Sequence, residues 1–288
     1  MTIALAWVRR NKGTMELIVA SDSRLRSRGA IDQCQKLLLL TRGDCFLSFC
    51  GDTQITYPLF LQVGSTLNNF IKTRTRATDV FDVANKIAGV INALVSSWDL
   101  PKADRNKELQ ETRVLFGGWS WRAQKFDIGV FSFTDGRCEY RRSKFRVGHP
   151  WYERHRSLVF IGDYEAEFRA ALTALLEKRF ATHKSLHRRY VDFDYEPVEA
   201  LNELLKSSKA SGLPLIGGAP QLAKIYPYGN SLPLVTKTSD NEFFLYGRKL
   251  FSWEKSELPI LDLTKSTPKP LYPMAHIPSL SGVTKSRT

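Results

Sequence analysis

Thr2-Ile3-Ala4-Leu5-Ala6-Trp7-Val8 is the stretch from which the fold is read: a hydroxyl residue directly after the first methionine, then an unbroken apolar run. Such a run reads as a strand covered on both faces, and no secretion signal is expected before it. The chain returns after Asn11-Lys12-Gly13 as Leu17-Ile18-Val19-Ala20-Ser21, so the first two strands make a hairpin whose far end carries Asp22-Ser23-Arg24. A second hairpin follows. Gln33-Cys34-Gln35-Lys36 leads into Leu37-Leu38-Leu39-Leu40, turns at Arg42-Gly43-Asp44, and comes back as Phe46-Leu47-Ser48-Phe49-Cys50-Gly51.

These strand ends carry the candidate chemistry. Removal of Met1 makes Thr2 the chain's end, where a free α-amino group, titrating near pH ~8, lies within reach of the residue's own hydroxyl. One residue then supplies both nucleophile and base. Lys36, at the mouth of an apolar strand, and Asp22, at the end of a neighbouring one, are a candidate buried ion pair. A lysine close to Thr2 favours proton loss from the hydroxyl and, by like-charge repulsion, keeps the amine unprotonated. Taken singly, each residue has a plainer reading. Thr2 is then a strand residue, Lys36 a solubilising charge, Asp22-Ser23-Arg24 a solvated surface turn, and Gly51 a turn glycine.

Taken together and in order, Thr2, Ala20-Ser21-Asp22-Ser23-Arg24, Lys36 and Phe49-Cys50-Gly51-Asp52-Thr53 resemble the proteasome β-subunit family and the related bacterial two-ring peptidase. Both are N-terminal nucleophile (Ntn) hydrolases, and the match covers roughly the first sixty residues, with a longer first hairpin here. The resemblance implies an α+β fold, a four-layer αββα sandwich of helices, two sheets and helices. It implies a threonine peptidase in which Thr2 attacks, Lys36 lowers the proton affinity of its hydroxyl, and Asp22 holds Lys36 and orients the amine. Arg24 would brace Asp22, and the Gly51 N–H would stabilise the oxyanion. Leu25, Cys34, Leu38, Phe49 and Thr53 fall where the family lines the pocket for the side chain preceding the cut bond, which implies an apolar pocket and cleavage after apolar residues. Also implied are a closed homo-oligomeric ring, an ATP-driven unfoldase as a partner, and no metal or other cofactor.

Two stretches depart from the family pattern. Gly162-Asp163 stands where the family has Gly-Ser; Asp163 either accepts a hydrogen bond from the Thr2 amine or caps the helix that follows. The family's late Asp and Ser have no clear counterparts in Ser211-Gly212-Leu213-Pro214-Leu215-Ile216-Gly217-Gly218, where Ser211 is the candidate substitute.

Farther along, periodicity predicts helices over 53–72 and 79–98, with Asp79 as N-cap to the second, then strands over 114–121, 125–133 and 137–145. Thr134-Asp135-Gly136 joins the last two. A strand over 157–161 enters a helix over 164–182, a further helix spans 197–208, and closing strands are expected over 216–226, 232–238 and 242–246. Residues 1–263 read as one domain. Residues 264–288, rich in Pro, Ser, Thr and Lys, read as a flexible basic tail.

Composition sets the rival readings. A 43% hydrophobic content over 288 residues is ample for a core, no run is long enough to span a membrane, and a cytoplasmic protein is expected. Cys34, Cys45, Cys50 and Cys138 show no metal-ligand spacing, and reduced thiols are expected. Cys50 is a rival nucleophile or a small buried side chain. The net charge of +13 leaves a nucleic-acid-binding protein open, on basic clusters over 137–146, 154–156 and 184–189 interleaved with Tyr140, Phe145, Trp151, Tyr152 and Tyr190. A catalytically silent ring subunit and an Ntn amidohydrolase of small amides are the remaining alternatives.

Overall fold

The two hairpins at the head of the chain seed two different sheets. The computed structural model describes residues 2–11, 13–26, 29–99, 101–143, 158–180, 193–210, 215–238, 242–254 and 257–273. The first hairpin is β1 (Ile3–Asn11) and β2 (Thr14–Ser21). A small excursion, β3 (Leu25–Arg26) and β4 (Ala30–Ile31), precedes the second hairpin of β5 (Leu37–Leu39) and β6 (Cys45–Cys50). Helices α1 (Thr53–Asn69), α2 (Ile71–Arg74), α3 (Val80–Ser96) and α4 (Lys102–Glu111) lead to β7 (Arg113–Ser120), β8 (Lys125–Thr134), β9 (Arg137–Arg142) and β10 (Leu158–Gly162). Then come α5 (Glu165–Phe180), α6 (Glu196–Ala210), β11 (Gln221–Ile225), β12 (Ser231–Lys237), β13 (Phe243–Leu245), β14 (Arg248–Lys249), β15 (Ile260–Asp262) and β16 (Pro270–Leu271).

One sheet runs β10-β1-β2-β11-β12-β13-β14, with β15 and β16 attached at β12; the other runs β5-β6-β7-β8-β9. All pairings are antiparallel except β12 with β15, so the fold is a mixed α+β one. Side chains alternate faces along a strand, and that alternation sorts the core. Ile3, Leu5, Trp7 and Ile18 face Phe168 and Leu172 of α5 and Val198 and Leu201 of α6. Their neighbours Ala4, Ala6, Leu17 and Val19 instead meet Phe46, Leu115 and Val130 of the second sheet. The far face of that sheet, with Leu47, Phe49 and Phe116, packs on α1 and α3 through Leu59, Val63, Ile87 and Ile91. Each buried Leu, Ile or Phe contributes about 1.5–3 kcal/mol, so these apolar layers, not the strand ends, carry the stability.

Several expectations change. The helix expected over 53–72 breaks at Phe70, which is extended at φ −88° and ψ 113°, leaving α2 as a separate turn. Helix α4 was not expected: its sequence is polar, and Leu109 is its fully buried side chain, so no period of 3.6 shows. The stretch expected to hang free from Thr264 is joined to the sheet, since β16 pairs with β15 and the Tyr272 hydroxyl accepts a hydrogen bond from Lys224. Residues 274–288 lie outside the described residues, as do the basic clusters over 154–156 and 184–189, Phe145, Trp151, Tyr152 and Tyr190. Tyr140 is no exposed stacking platform; its ring packs between Phe116 and Phe131 and its hydroxyl donates to Asp127. Among the described residues no helix is long and apolar enough to cross a membrane.

Candidate active site

Thr2 and Asp22 meet because of the register of the first hairpin. Ala4 lies opposite Ser21, so Ile3 lies opposite Asp22, whose N–H donates to the Ile3 carbonyl at 3.2 Å while the Ile3 N–H donates to Asp22 Oδ1 at 3.1 Å. Strand β10 flanks Thr2 on the other side. Its last residue, Gly162, has φ +113°, and a Cβ there would sit 1.8 Å from the Thr2 carbonyl oxygen, so only glycine fits. The Asp163 N–H donates to that carbonyl at 3.1 Å, and the Asp163 carboxylate accepts from the Thr2 nitrogen at 3.1 Å. Of the two sequence readings of Asp163, the geometry carries the contact to the Thr2 nitrogen.

Lys36 enters from the head of β5, in the opposite sheet. Its N–H donates to Gln221 Oε1 at 3.0 Å and its carbonyl accepts from the Ser48 hydroxyl at 2.8 Å, which fixes the main chain from both sides. The fully buried side chain then reaches Thr2 Oγ1 at 2.9 Å and the two oxygens of Asp22 at 2.8 and 3.0 Å. A buried ion without compensation costs several kcal/mol. Here Asp22 is compensated by Lys36 and by three main-chain donors, the N–H groups of Ile3, Arg24 and Gly217. Burial pushes the Lys36 ammonium below the usual lysine range, against the opposing pull of Asp22. A lysine that gives up its proton more readily, 2.9 Å from a hydroxyl, can take that hydroxyl's proton.

Arg24 differs from expectation. Its main-chain N–H meets Asp22, at 3.2 Å, and its guanidinium is forked onto the carboxylate of Asp32. The Asp32 pair lies along the neighbouring loop, so Arg24 ties that loop down and leaves Asp22 to Lys36 and the backbone donors. Gly51 also has φ +113°, and a Cβ on it would lie 2.7 Å from Thr112 Cα and 3.1 Å from the Glu111 carbonyl oxygen. It closes β6 against the end of α4, at the mouth of a cavity, with the positive end of α1 directly after it. Ser211 lies outside the described residues.

Phe49 and Leu38, two of the five residues expected to line an apolar pocket, pack into the core. Phe49 is wholly buried, edge-on to Tyr57 and Phe60, and Leu38 packs on the same cluster. The β6 alternation turns Phe49 towards α1 while Ser48 faces Lys36. Of the five residues expected there, Leu25 and Thr53 line the cavity of about 910 Å³ beside Gly51, Gly162 and Asp163; Cys34 is half-buried and lies elsewhere. The rest of that lining is Asp52, Glu108, Gln110, Glu111 and Arg113, with Cys50 and Leu215. Burial pushes the Cys50 thiol up to about 11, which leaves it protonated at neutral pH and a poor rival nucleophile.

Sequence reasoning missed Gln221. Its amide donates to the carbonyls of Asp22 at 3.0 Å and Cys34 at 2.7 Å while its oxygen holds Lys36. The available signal was a lone amide at the head of the apolar strand Gln221-Leu222-Ala223.

No protein-family model matches the chain. No curated protein matches it either. Among solved structures, an Anbu (Gly-1) mutant from Hyphomicrobium sp. strain MC1 is similar, at 16% identity and a TM-score of 0.47, over 78% of this chain and 81% of that one. A likeness of that size carries no inference about chemistry.

Proposed function

We propose that the chain is an amide hydrolase of the N-terminal nucleophile type, a threonine peptidase with Thr2 as nucleophile after removal of Met1. The observation that carries this is Lys36 Nζ, which touches Thr2 Oγ1 and both oxygens of Asp22 at once in a buried setting. The order of apolar layers, α5 and α6, sheet, sheet, α1 and α3, supports the four-layer αββα sandwich that the sequence motifs imply.

In this reading the Thr2 hydroxyl attacks a substrate carbonyl and its proton passes to the Thr2 amine or to Lys36. The resulting oxyanion faces the Gly51 main chain and the positive end of α1, and collapse expels the amine half of the substrate. Water then hydrolyses the ester left on Thr2. Asp22 keeps Lys36 in place, and Asp163 holds the amine. The test is intact mass after treatment with a threonine-directed covalent inhibitor, together with N-terminal sequencing. The expected result is loss of Met1 and one adduct on Thr2; a retained Met1 with no adduct refutes the mechanism.

The same reading includes self-association in a closed ring in the cytoplasm, fed by an ATP-driven unfoldase. Leu61, Phe70 and Ile71, all exposed on α1 and its continuation, support an interface there. The +13 charge opposes crowding of subunits, so assembly should weaken at low ionic strength. Light scattering across a salt series is the check, and a monomer under every condition refutes the ring.

A further inference from the structure

Asp163 stands between two rival partners. Ile3 pairs with Gly162 at the end of β10, so Thr2 lies opposite Asp163, and the two are joined twice: the Asp163 N–H donates to the Thr2 carbonyl and the Thr2 nitrogen to Asp163 Oδ2, each at 3.1 Å. Helix α5 begins directly afterwards, at Glu165. Its Glu165 and Glu167 suit the positive end of a helix, yet among the described residues no side chain accepts a hydrogen bond from the Glu165 or Ala166 N–H. Helices α1 and α3 are each preceded by an aspartate that does this work: Asp52 accepts from the Gln54 N–H and Asp79 from the Phe81 N–H. Asp163 precedes α5 and does not cap it.

Tyr164, at φ +62°, is what turns it away. A left-handed backbone is unfavourable for a residue with a Cβ. Among the described residues the other non-glycines with positive φ are Arg76, just past α2, and Gln124, Asp135 and Tyr246, in the turns of the hairpins β7–β8, β8–β9 and β13–β14, where a helix end or a tight turn asks for that conformation. Tyr164 instead joins a strand to a helix, and neither asks for it. Rotated into the right-handed region, Tyr164 would become the first residue of α5 and Asp163 its N-cap, facing the Glu165 and Ala166 N–H groups. The Thr2 nitrogen would then be released. Thr2 itself is 1% exposed; Gly162 and Asp163, which touch it, line the cavity of about 910 Å³ beside Gly51, so this turn separates the nucleophile from that space.

We infer that Gly162-Asp163-Tyr164 is a two-position latch on the nucleophile: closed, Asp163 holds the Thr2 nitrogen while Tyr164 is left-handed; open, Tyr164 extends α5, Asp163 caps it, and the amine is free to act as base. This rests on the Thr2 reading above and adds its regulation. The closed position keeps two hydrogen bonds, and the open one gains a cap and loses the backbone strain. A peptide laid along Gly51 competes with Thr2 for the space around Asp163, and so shifts the population towards the open position.

Glycine and alanine at position 164 separate the two positions. Both substitutions remove the tyrosine ring, but glycine takes the left-handed region freely and alanine favours the helix. Tyr164→Ala should therefore be open about tenfold more of the time than Tyr164→Gly. Native-state hydrogen exchange of the Asp163 N–H, corrected for the intrinsic rates of the two sequences, reads this without any chemistry at Thr2 and should be faster in the alanine variant by that factor. Adduct formation at Thr2 with a threonine-directed covalent inhibitor should show the same order. A third variant keeps the ring: Ala166→Glu, at an exposed position of α5, completes a capping box with Asp163 in the open position alone and should speed adduct formation several-fold over the unaltered protein. Equal exchange in the alanine and glycine variants, or the reverse order, overturns the latch, as does an Ala166→Glu protein whose Thr2 forms its adduct no faster. Exchange in the expected order with no Thr2 adduct on any of these proteins refutes the nucleophile and leaves the two-position turn standing. Adducts at equal rates, with equal exchange, keep the nucleophile and remove the latch.

Discussion

Two lysines are buried against carboxylates at the two ends of β2, and they are not equivalent. Lys36 serves Asp22, just past the end of β2; Lys224, on β11, serves Glu16 near the start of β2, with Nζ 3.1 Å from each carboxylate oxygen. Gln221 and Lys224 stand three positions apart on β11 and so point to opposite faces. One face clamps Lys36 between the sheets. On the other, Lys224 is closed over by the rings of Tyr195 and Tyr272, and Glu16 is shared with Arg9. What separates the pairs is the third partner: a threonine hydroxyl for Lys36, a tyrosine hydroxyl at 3.3 Å for Lys224. A buried lysine–carboxylate pair is therefore no mark of catalysis in itself. It becomes one where the remaining donor position meets a nucleophile beside an open cavity.

The comparison breaks most cleanly on activity. Thr2→Ala should remove hydrolysis by about 10⁴-fold or more, and Lys36→Met by a similar factor, with the double variant no worse than either, because a nucleophile and its activator work as one unit. Lys224→Met should leave the rate within about twofold and instead lower stability by about 3 kcal/mol, less whatever Arg9 recovers by keeping Glu16 paired. Single-turnover kinetics and denaturant melts on the three proteins decide it. A Lys224 variant as inactive as the Lys36 one would erase the distinction.

Next in size is a pH effect confined to the first site. The Asp163 carboxylate lies 3.1 Å from the Thr2 nitrogen, and a negative charge there favours the ammonium over the amine. Protonation of that amine removes the base, so the acid limb of kcat/KM should stand higher than it would without the carboxylate. Asp163→Ser removes the charge and keeps a hydrogen-bonding side chain. The acid limb should move to lower pH, giving a several-fold gain near pH 6 and little change where the amine is already neutral. The pH–rate profile is the measurement, and an unmoved limb means that Asp163 only positions the chain. The equivalent change at the second site, Glu16→Gln, should leave the profile where it is.

The legible parts of the molecule share a physical reason. Apolar runs in β1, β2, β6 and β10 announce themselves because both faces are covered, and Thr2, Asp22 and Lys36 stand out as polar residues at the ends of such runs. Helix α4 hid because a ten-residue surface helix with a single fully buried side chain has no stripe. The burial of Phe49 was missed for another reason. A period of two tells that Phe49 and Ser48 face opposite ways, not which of them faces the helices. Asp32 as the partner of Arg24, and Gln221 as the partner of Lys36, depend on contacts that no local pattern encodes; the second spans the chain from β5 to β11.

The smallest effect tests what keeps the two lysines apart. Gln221 is buried and makes three hydrogen bonds at once, accepting from the Lys36 N–H and donating to the carbonyls of Asp22 and Cys34. Gln221→Leu keeps the approximate volume and leaves those three groups without this partner, a cost of about 1–3 kcal/mol for the buried donor and acceptors. Lys36 would keep its contact to Asp22 and its Ser48 clamp, so the ammonium should drift rather than depart, and kcat should fall by about twofold with KM nearly unchanged. A Gln221→Glu variant discriminates further: it retains the acceptor for the Lys36 N–H but loses both donors and adds a charge, so it should recover position without recovering stability. Denaturant melts and steady-state rates on both variants give the answer. Unchanged kcat in the leucine variant would mean that Asp22 alone sets the Lys36 geometry, and that the polar head of β11 braces the loop between Cys34 and Lys36 without tuning the nucleophile.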